Sequence, residues 1–408
     1  MSGRHSAAER FPFLEGELSV GGVRVSRLAE RVGQTPFYAY DRQLLSARVQ
    51  QLRGVLPAAI SLHYAIKANP MPALVGWMAA LVDGLDVASG AELRVALDAG
   101  MDPREISFAG PGKSEVELAQ AVASGILLNI ESAREVRLLA DISSRLGTPA
   151  RVAVRVNPDY ELKSSGMKMG GGPKQFGIDA ERVPEVLADI GREGLAFEGF
   201  HIFSGSQNLR AEAICEAQTK GLELATRLAA EAPSTVISVN LGGGFGIPYF
   251  PGEKPLDLAA IGDHLEGIAE SAASSLPGAK LVIELGRFLV GEAGVYVARV
   301  IDRKVSRGEV FLVTDGGLHH HLSASGNFGQ VIRKNYPVEI GTRGMDAPRE
   351  VASVVGPLCT PLDLLADRMQ LAEAGLGDLV VVFQSGAYGI TASPMRFLSH
   401  PAALEVLV

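Results

Sequence analysis

Between residues 62 and 284 the chain alternates eight times between a short apolar run and a longer stretch of helical period. The runs are 62–66, 85–88, 106–109, 127–130, 152–156, 197–203, 236–241 and 281–284. Apolar runs separated by helix-length connections mark a parallel sheet covered on both faces. Ser89 before Glu92, Ser114 before Glu117 and Ser132 before Glu135 open three of the helical segments with capping-box spacing. An open, doubly wound sheet shares this alternation. Eight strands over a span of about 250 residues favour a (β/α)8 TIM barrel instead, expected over residues 34–283.

The pattern changes after Arg287. Residues 291–300, 309–314, 349–356, 378–383 and 404–408 read as strands without regular helices between them, which predicts a second, mostly β domain. Residues 18–25 and 37–40 also alternate like strand and are expected to return to it. The expected β domain therefore takes residues 10–33 and 284–408.

Composition narrows the class further. With 408 residues the chain can bury a large core without staples, and its two cysteines, Cys215 and Cys359, are too few for a disulfide scaffold. Against 46 acidic residues stand 38 basic ones, a formal charge of -8, and no basic run forms a nucleic-acid footprint. Residues 1–5 do not lead into an apolar signal core, and the best apolar stretch, 73–82, ends at Asp83, short of a membrane span. A cytoplasmic protein is expected.

Functional side chains of a barrel gather just beyond the C-terminal ends of its strands. The first strand ends at Lys67. In a partly desolvated mouth this amine would lose proton affinity and could form a Schiff base, while a plain exposed lysine is the alternative. The sixth ends in His201, followed by Ser204 and Gly205, a hydroxyl and bare backbone suited to an anion. The seventh ends in Gly242-Gly243-Gly244, where backbone N–H groups can approach a phosphate, although dinucleotide-type GxGxxG spacing is absent. The eighth ends in Glu284, with Gly286 and Arg287 following. An amine, an imidazole, a phosphate cradle and a carboxylate at four strand ends together describe a pyridoxal phosphate pocket.

At this point the sequence resembles the barrel-type (fold type III) pyridoxal-phosphate decarboxylases, the diaminopimelate and ornithine decarboxylase family. Residues 64–69 (YAIKAN), 86–92 (DVASGAE), 242–246, 284–287 (with Leu285 where the family has proline), 356–359 (GPLC) and 386–389 (GAYG) resemble family motifs in order across nearly the whole chain. The resemblance implies that Lys67 holds pyridoxal 5'-phosphate through its aldehyde and that His201 stacks on the ring. It implies that Ser204, Gly243, Gly244, Gly286 and Arg287 hold the phosphate, and that Glu284 faces the pyridine nitrogen. Cys359 would act from the neighbouring subunit of a homodimer as proton donor, and Tyr388 would contribute to cofactor or substrate binding. Arg287, Tyr336, Cys359, Thr360 and Tyr388 are the implied substrate contacts.

Several departures bear on the substrate. Diamine-producing members carry an acid after the cysteine, where this chain has Thr360 and keeps only the later Asp363. Arg333 and Tyr336 are three apart instead of four, and the sixth-strand motif is longer, so that Ser206 is an alternative phosphate serine to Ser204. Residues 315–321 (DGGLHHH), 327–330 (NFGQ) and 397–401 (FLSHP) resemble a branch acting on modified or carrier-attached amino acids. If His319, His320 and His321 lie on a strand they face alternate sides, so no metal is expected. The expected activity is PLP-dependent α-decarboxylation of an L-amino acid, or a derivative of one, without a free distal ammonium. Alternatives are meso-diaminopimelate decarboxylase, an amino-acid racemase, and a non-catalytic cofactor carrier. No nucleic-acid or membrane partner is expected.

Overall fold

The computed structural model describes residues 5–161, 167–168, 170–328, 330 and 333–408, so Gly329 of the NFGQ stretch and residues 1–4 of the N-terminus lie outside the described residues. Two compact units emerge. One comprises Arg48–Ile247 and Lys254–Leu289, the other Met1–Ala47, Pro248–Glu253 and Val290–Val408.

The first unit is a closed parallel barrel. Its strands are Ile60–Ala65, Gly84–Val87, Ile106–Phe108, Leu127–Ile130, Arg151–Asn157, Ala196–Ile202, Ser238–Gly243 and Lys280–Leu285. Each pairs in parallel with the next, and the eighth pairs with the first, Leu281 opposite Ile60. That closing ladder excludes the open sheet. Helices follow each of the first seven strands, among them Gly90–Asp98, Glu115–Ser124 and Ala211–Ala229. Ser89 Oγ accepts from Glu92 N at 3.2 Å and Ser114 forms a complete capping box with Glu117. Ser132 makes no side-chain cap; Glu135 instead reaches back to accept from Glu131 N at 2.8 Å.

The second unit is built on an eight-stranded sheet, mostly antiparallel. Gly294–Ser306 is its long central strand, flanked by Glu309–Thr314, Phe37–Tyr40 and Leu379–Val382. The fully buried strand Phe37–Tyr40 pairs antiparallel with Gly294–Ser306 and parallel with Leu404–Leu407. The division therefore differs from the expected bounds at 34 and 283, falling after Ala47 and Leu289 and giving Pro248–Glu253 to the β unit. Residues 18–25 do not form one strand. Glu17–Val20 and Val23–Arg24 turn back on each other through Gly21 and Gly22, both at positive φ, and the helix Val25–Val32 follows at once. Phe11, Leu28, Phe37, Val295, Val381 and Phe383 belong to the packed core of this unit. No helix among the described residues is long and apolar enough to cross a membrane.

Candidate active site

Every barrel strand contributes at least one buried polar side chain, among them His63, Asp86, Ser107, Asn129, Arg155, His201, Asn240 and Glu284, each 8% exposed or less. Burying so many polar groups is costly unless they satisfy one another. Strand register brings them together: His63 lies beside Glu284, Asp86 beside Ser107, and His201 between Arg155 and Asn240. Ser107 Oγ donates to Asp86 Oδ1 at 2.5 Å, and His63 Nδ1 lies 3.3 Å from the same oxygen. Arg155 pairs with Glu131 Oε1 at 2.9 Å.

Glu284 stands at the centre of the other half. Its Oε2 accepts from Asn240 Nδ2 at 3.1 Å and lies 3.2 Å from His201 Nε2. Asn240 is fixed in turn, its Oδ1 accepting from Gly242 N at 2.7 Å. Burial alone would raise the Glu284 carboxyl. The imidazole of His201 and the charges of Lys67 and Arg155 outweigh it and hold the carboxyl well below the usual carboxylate range. His201 Nδ1 is buried with no hydrogen-bond partner.

Lys67 sits on the single 3-10 turn Ile66–Ala68 that ends the first strand, with its Nζ 5.6 Å from the centre of the Phe203 ring. Its side chain is exposed, so the expected desolvation of the amine is not supplied by the chain itself. The Gly286–Arg287 turn runs alongside: a Cβ on Gly286 would come within 3.0 Å of Ala68 Cβ and 3.4 Å of the Ala65 carbonyl.

The loops after the sixth and seventh strands are zipped together. Asn208 N donates to the Gly244 carbonyl at 2.9 Å, and Gly246 N to the Asn208 carbonyl at 2.8 Å. Gly244 is at φ 74°, and a Cβ there would run into the Gly205 carbonyl, so glycine is required twice over. Ser204, Gly205, Gly243 and Gly244 line one small cavity. Ser206 instead pairs opposite Met167 in a two-residue antiparallel ladder. Between the two serines, Ser204 is the one grouped with the glycines.

The remaining expected residues belong to the β unit. Cys359 is exposed and Thr360 half-buried on the loop after Arg349–Val355. Asp363, buried in the same loop, accepts from Leu318 N at 2.6 Å and from Leu358 N at 2.8 Å. Burial pushes its carboxyl up against the pull of those two amides. Tyr388 adopts φ 52° and its carbonyl accepts from Ser323 Oγ. Tyr336 is buried, its ring centre 4.9 Å from that of Tyr249. His319, His320 and His321 lie on a turn and its exit, not on a strand, and all three are buried, which replaces the alternating-face argument. Burial lowers His319 and His321 to about 3. Among the described residues no group of three or more His, Cys, Asp or Glu could hold a metal ion.

The model of the pyridoxal binding domain of pyridoxal-dependent decarboxylases matches residues 42–291, more than half of the chain. The chain belongs to the pyridoxal-dependent decarboxylases. This decarboxylase is 38% identical over 96% of its length, and 92% of the relative's, to a decarboxylase of L-glutamyl-loaded BtrI acyl-carrier protein from Niallia circulans. It is 35% identical, over 97% of its length and 92% of the relative's, to diaminopimelate decarboxylase of Aquifex aeolicus. The crystal structure of Helicobacter pylori diaminopimelate decarboxylase complexed with L-lysine superposes with a TM-score of 0.81 at 27% identity, covering 94% of each chain. The protein is thus a carboxy-lyase acting on amino acids with pyridoxal 5'-phosphate. Its barrel suits that cofactor: an ionised buried carboxylate beside an imidazole with a spare nitrogen, and a serine-lined loop pair in which Gly243 and Gly244 admit no Cβ.

Reading the sequence assigned no site role to Asn240, Arg155 and Glu131, and met Asp86 only within the motif 86–92. Their signal was present: a polar residue within or directly after an apolar barrel strand is expensive and so rarely idle.

Proposed function

We propose that this decarboxylase removes the α-carboxylate of an L-amino acid, or a derivative of one, whose distal end carries no free ammonium; an aminoacyl group on a carrier protein is one such substrate. The loop 356–364 carries the reading. Thr360 offers a neutral hydroxyl, which accepts from Leu362 N at 3.3 Å, and Asp363, the loop's one acid, is taken up by two backbone amides. A distal ammonium docked there would shed water without gaining a charged partner, a loss of several kcal/mol. The carrier-protein decarboxylase from Niallia circulans supports the same reading. The Aquifex aeolicus relative favours a second one, decarboxylation of meso-diaminopimelate.

In this account Lys67 anchors the cofactor through its aldehyde. When bound, pyridoxal 5'-phosphate supplies an electron sink for the pair released as CO2 departs. Glu284, fixed by Asn240, would hold a proton at the ring nitrogen, and His201 would pack against the ring. Ser204, Gly243, Gly244, Gly286 and Arg287 bind the phosphate. Cys359 Sγ delivers the proton to Cα from the neighbouring subunit of a homodimer, and Tyr336, Thr360, Tyr388 and Arg287 contact the substrate. The enzyme works in the cytoplasm.

The test is CO2 release by the cofactor-loaded enzyme from meso-diaminopimelate, L-lysine, L-ornithine, L-glutamate and a glutamyl-loaded carrier protein. A few kcal/mol of discrimination corresponds to about a hundredfold in kcat/KM, against the three free diamino substrates. Comparable or better turnover of free meso-diaminopimelate overturns the substrate reading in favour of the second.

A further inference from the structure

The helix Ala211–Ala229 packs an apolar face on the barrel, burying Ile214, Gly221, Leu222 and Ala225. At Gly221 the fit is close, since a Cβ there would lie 3.4 Å from Leu241 and 3.8 Å from Ile202. One residue on this face breaks the pattern. Gln218 is 1% exposed, and neither its Nε2 nor its Oε1 has a hydrogen-bond partner. An amide buried unpaired costs on the order of 1–3 kcal/mol, and an aliphatic side chain would avoid the cost. Native proteins leave few such groups without a purpose.

Its surroundings suggest the purpose. Gln218 lines the same cavity as Ser204, Gly205, Gly243 and Gly244, whose volume is about 20 Å³. A polar cavity holds a water once it exceeds roughly 10–15 Å³. We propose that Gln218 is a positioning residue for the cofactor phosphate: through one bound water its amide hydrogen-bonds the anion held by Ser204 and the glycine loop. A neutral amide can donate its Nε2–H to the water, leaving the water's own O–H to donate to the anion, which neither a carboxylate nor an aliphatic chain can arrange. The proposal rests on the reading that the phosphate sits at Ser204, so Ser204→Ala serves as the reference variant.

The experiment compares Gln218→Leu, Gln218→Met and Ser204→Ala with the wild type, all as full-length protein freed of cofactor. Dissociation constants are measured for pyridoxal 5'-phosphate and for pyridoxal, which lacks the phosphate. The 31P resonance of the bound cofactor and the melting point of the cofactor-free protein are recorded alongside. Both Gln218 variants should bind pyridoxal 5'-phosphate about tenfold more weakly and pyridoxal within about twofold of wild type. Their 31P resonance should shift, and their cofactor-free melting points should be no lower. Equal weakening toward both ligands, or none toward either, overturns the role of Gln218. If Ser204→Ala alone loses affinity selectively for the phosphorylated ligand, only this inference fails. If Ser204→Ala shows no selectivity either, the phosphate reading fails with it.

Discussion

His201 Nε2 lies 3.2 Å from Glu284 Oε2, with both side chains nearly completely buried. The contact spans strands six and eight and pairs an imidazole with a carboxylate held ionised in a closed barrel. A fixed negative charge in such a place stabilises a protonated ring nitrogen far more than it would in water. That is the electrostatic task proposed above for Glu284 toward the ring nitrogen of the cofactor.

Glu284→Gln keeps the shape and removes the charge. Turnover should fall by about 10²–10³, the range seen when one preorganised electrostatic group is lost, while the protein still takes up cofactor. The check is kcat together with the absorbance of bound cofactor; near-normal kcat would deny Glu284 its role.

Asn240→Leu tests the support behind that carboxylate. It removes the donor to Glu284 and the acceptor for Gly242 N at once. Losing a hydrogen bond to a charged group costs about 1.5–3 kcal/mol, so kcat should drop by about tenfold or more, through Glu284. In the Glu284→Gln background the same substitution should cost clearly less, as a double-mutant cycle on kcat will reveal.

Thr360→Glu places an acid where diamine-producing relatives carry one. Recognition of a distal ammonium should improve, raising kcat/KM for free meso-diaminopimelate or L-lysine by about tenfold, chiefly through KM. No gain with any diamino substrate would argue that this position does not face the substrate's distal end.

The eight barrel strands were legible because each is a short, mostly apolar run followed by a helix-length segment, and Lys67, His201 and Glu284 because they stand at strand ends. The belt around them was not, since it exists only once the barrel closes and sets His63 beside Glu284. In the β unit, Leu364–Ala372 escaped notice because Asp367 and Arg368 interrupt its alternation. There the strand bulges opposite Ser353, whose Oγ accepts from Arg368 N at 3.0 Å. Phe37–Tyr40 read as a strand, but its partners at 294–297 and 404–407 lie too far along the chain for periodicity to specify.

Acid should weaken the β unit before it reaches Glu284. His321 is buried and neutral, its ring lowered to about 3 by desolvation from an ordinary 6.5. The unfolded chain regains the ordinary value and so binds more protons than the folded one between those limits. The stability this ring contributes is complete above pH 6.5 and is lost progressively as pH falls toward 3. The depressed Glu284 carboxyl adds its own loss only below about 4.5. Melting points recorded from pH 8 to 5 should decline most steeply below 6.5, and His321→Gln should flatten that slope; an unchanged slope counts against this assignment.

The account as a whole depends on Lys67 as the residue that holds the cofactor aldehyde. Borohydride reduction of the cofactor-loaded enzyme, followed by peptide mapping, tests this most directly. The account predicts a pyridoxyl group on Lys67 and, in Lys67→Ala, loss of both the label and the yellow absorbance. A label on another lysine, or none on a protein that still decarboxylates, would contradict it.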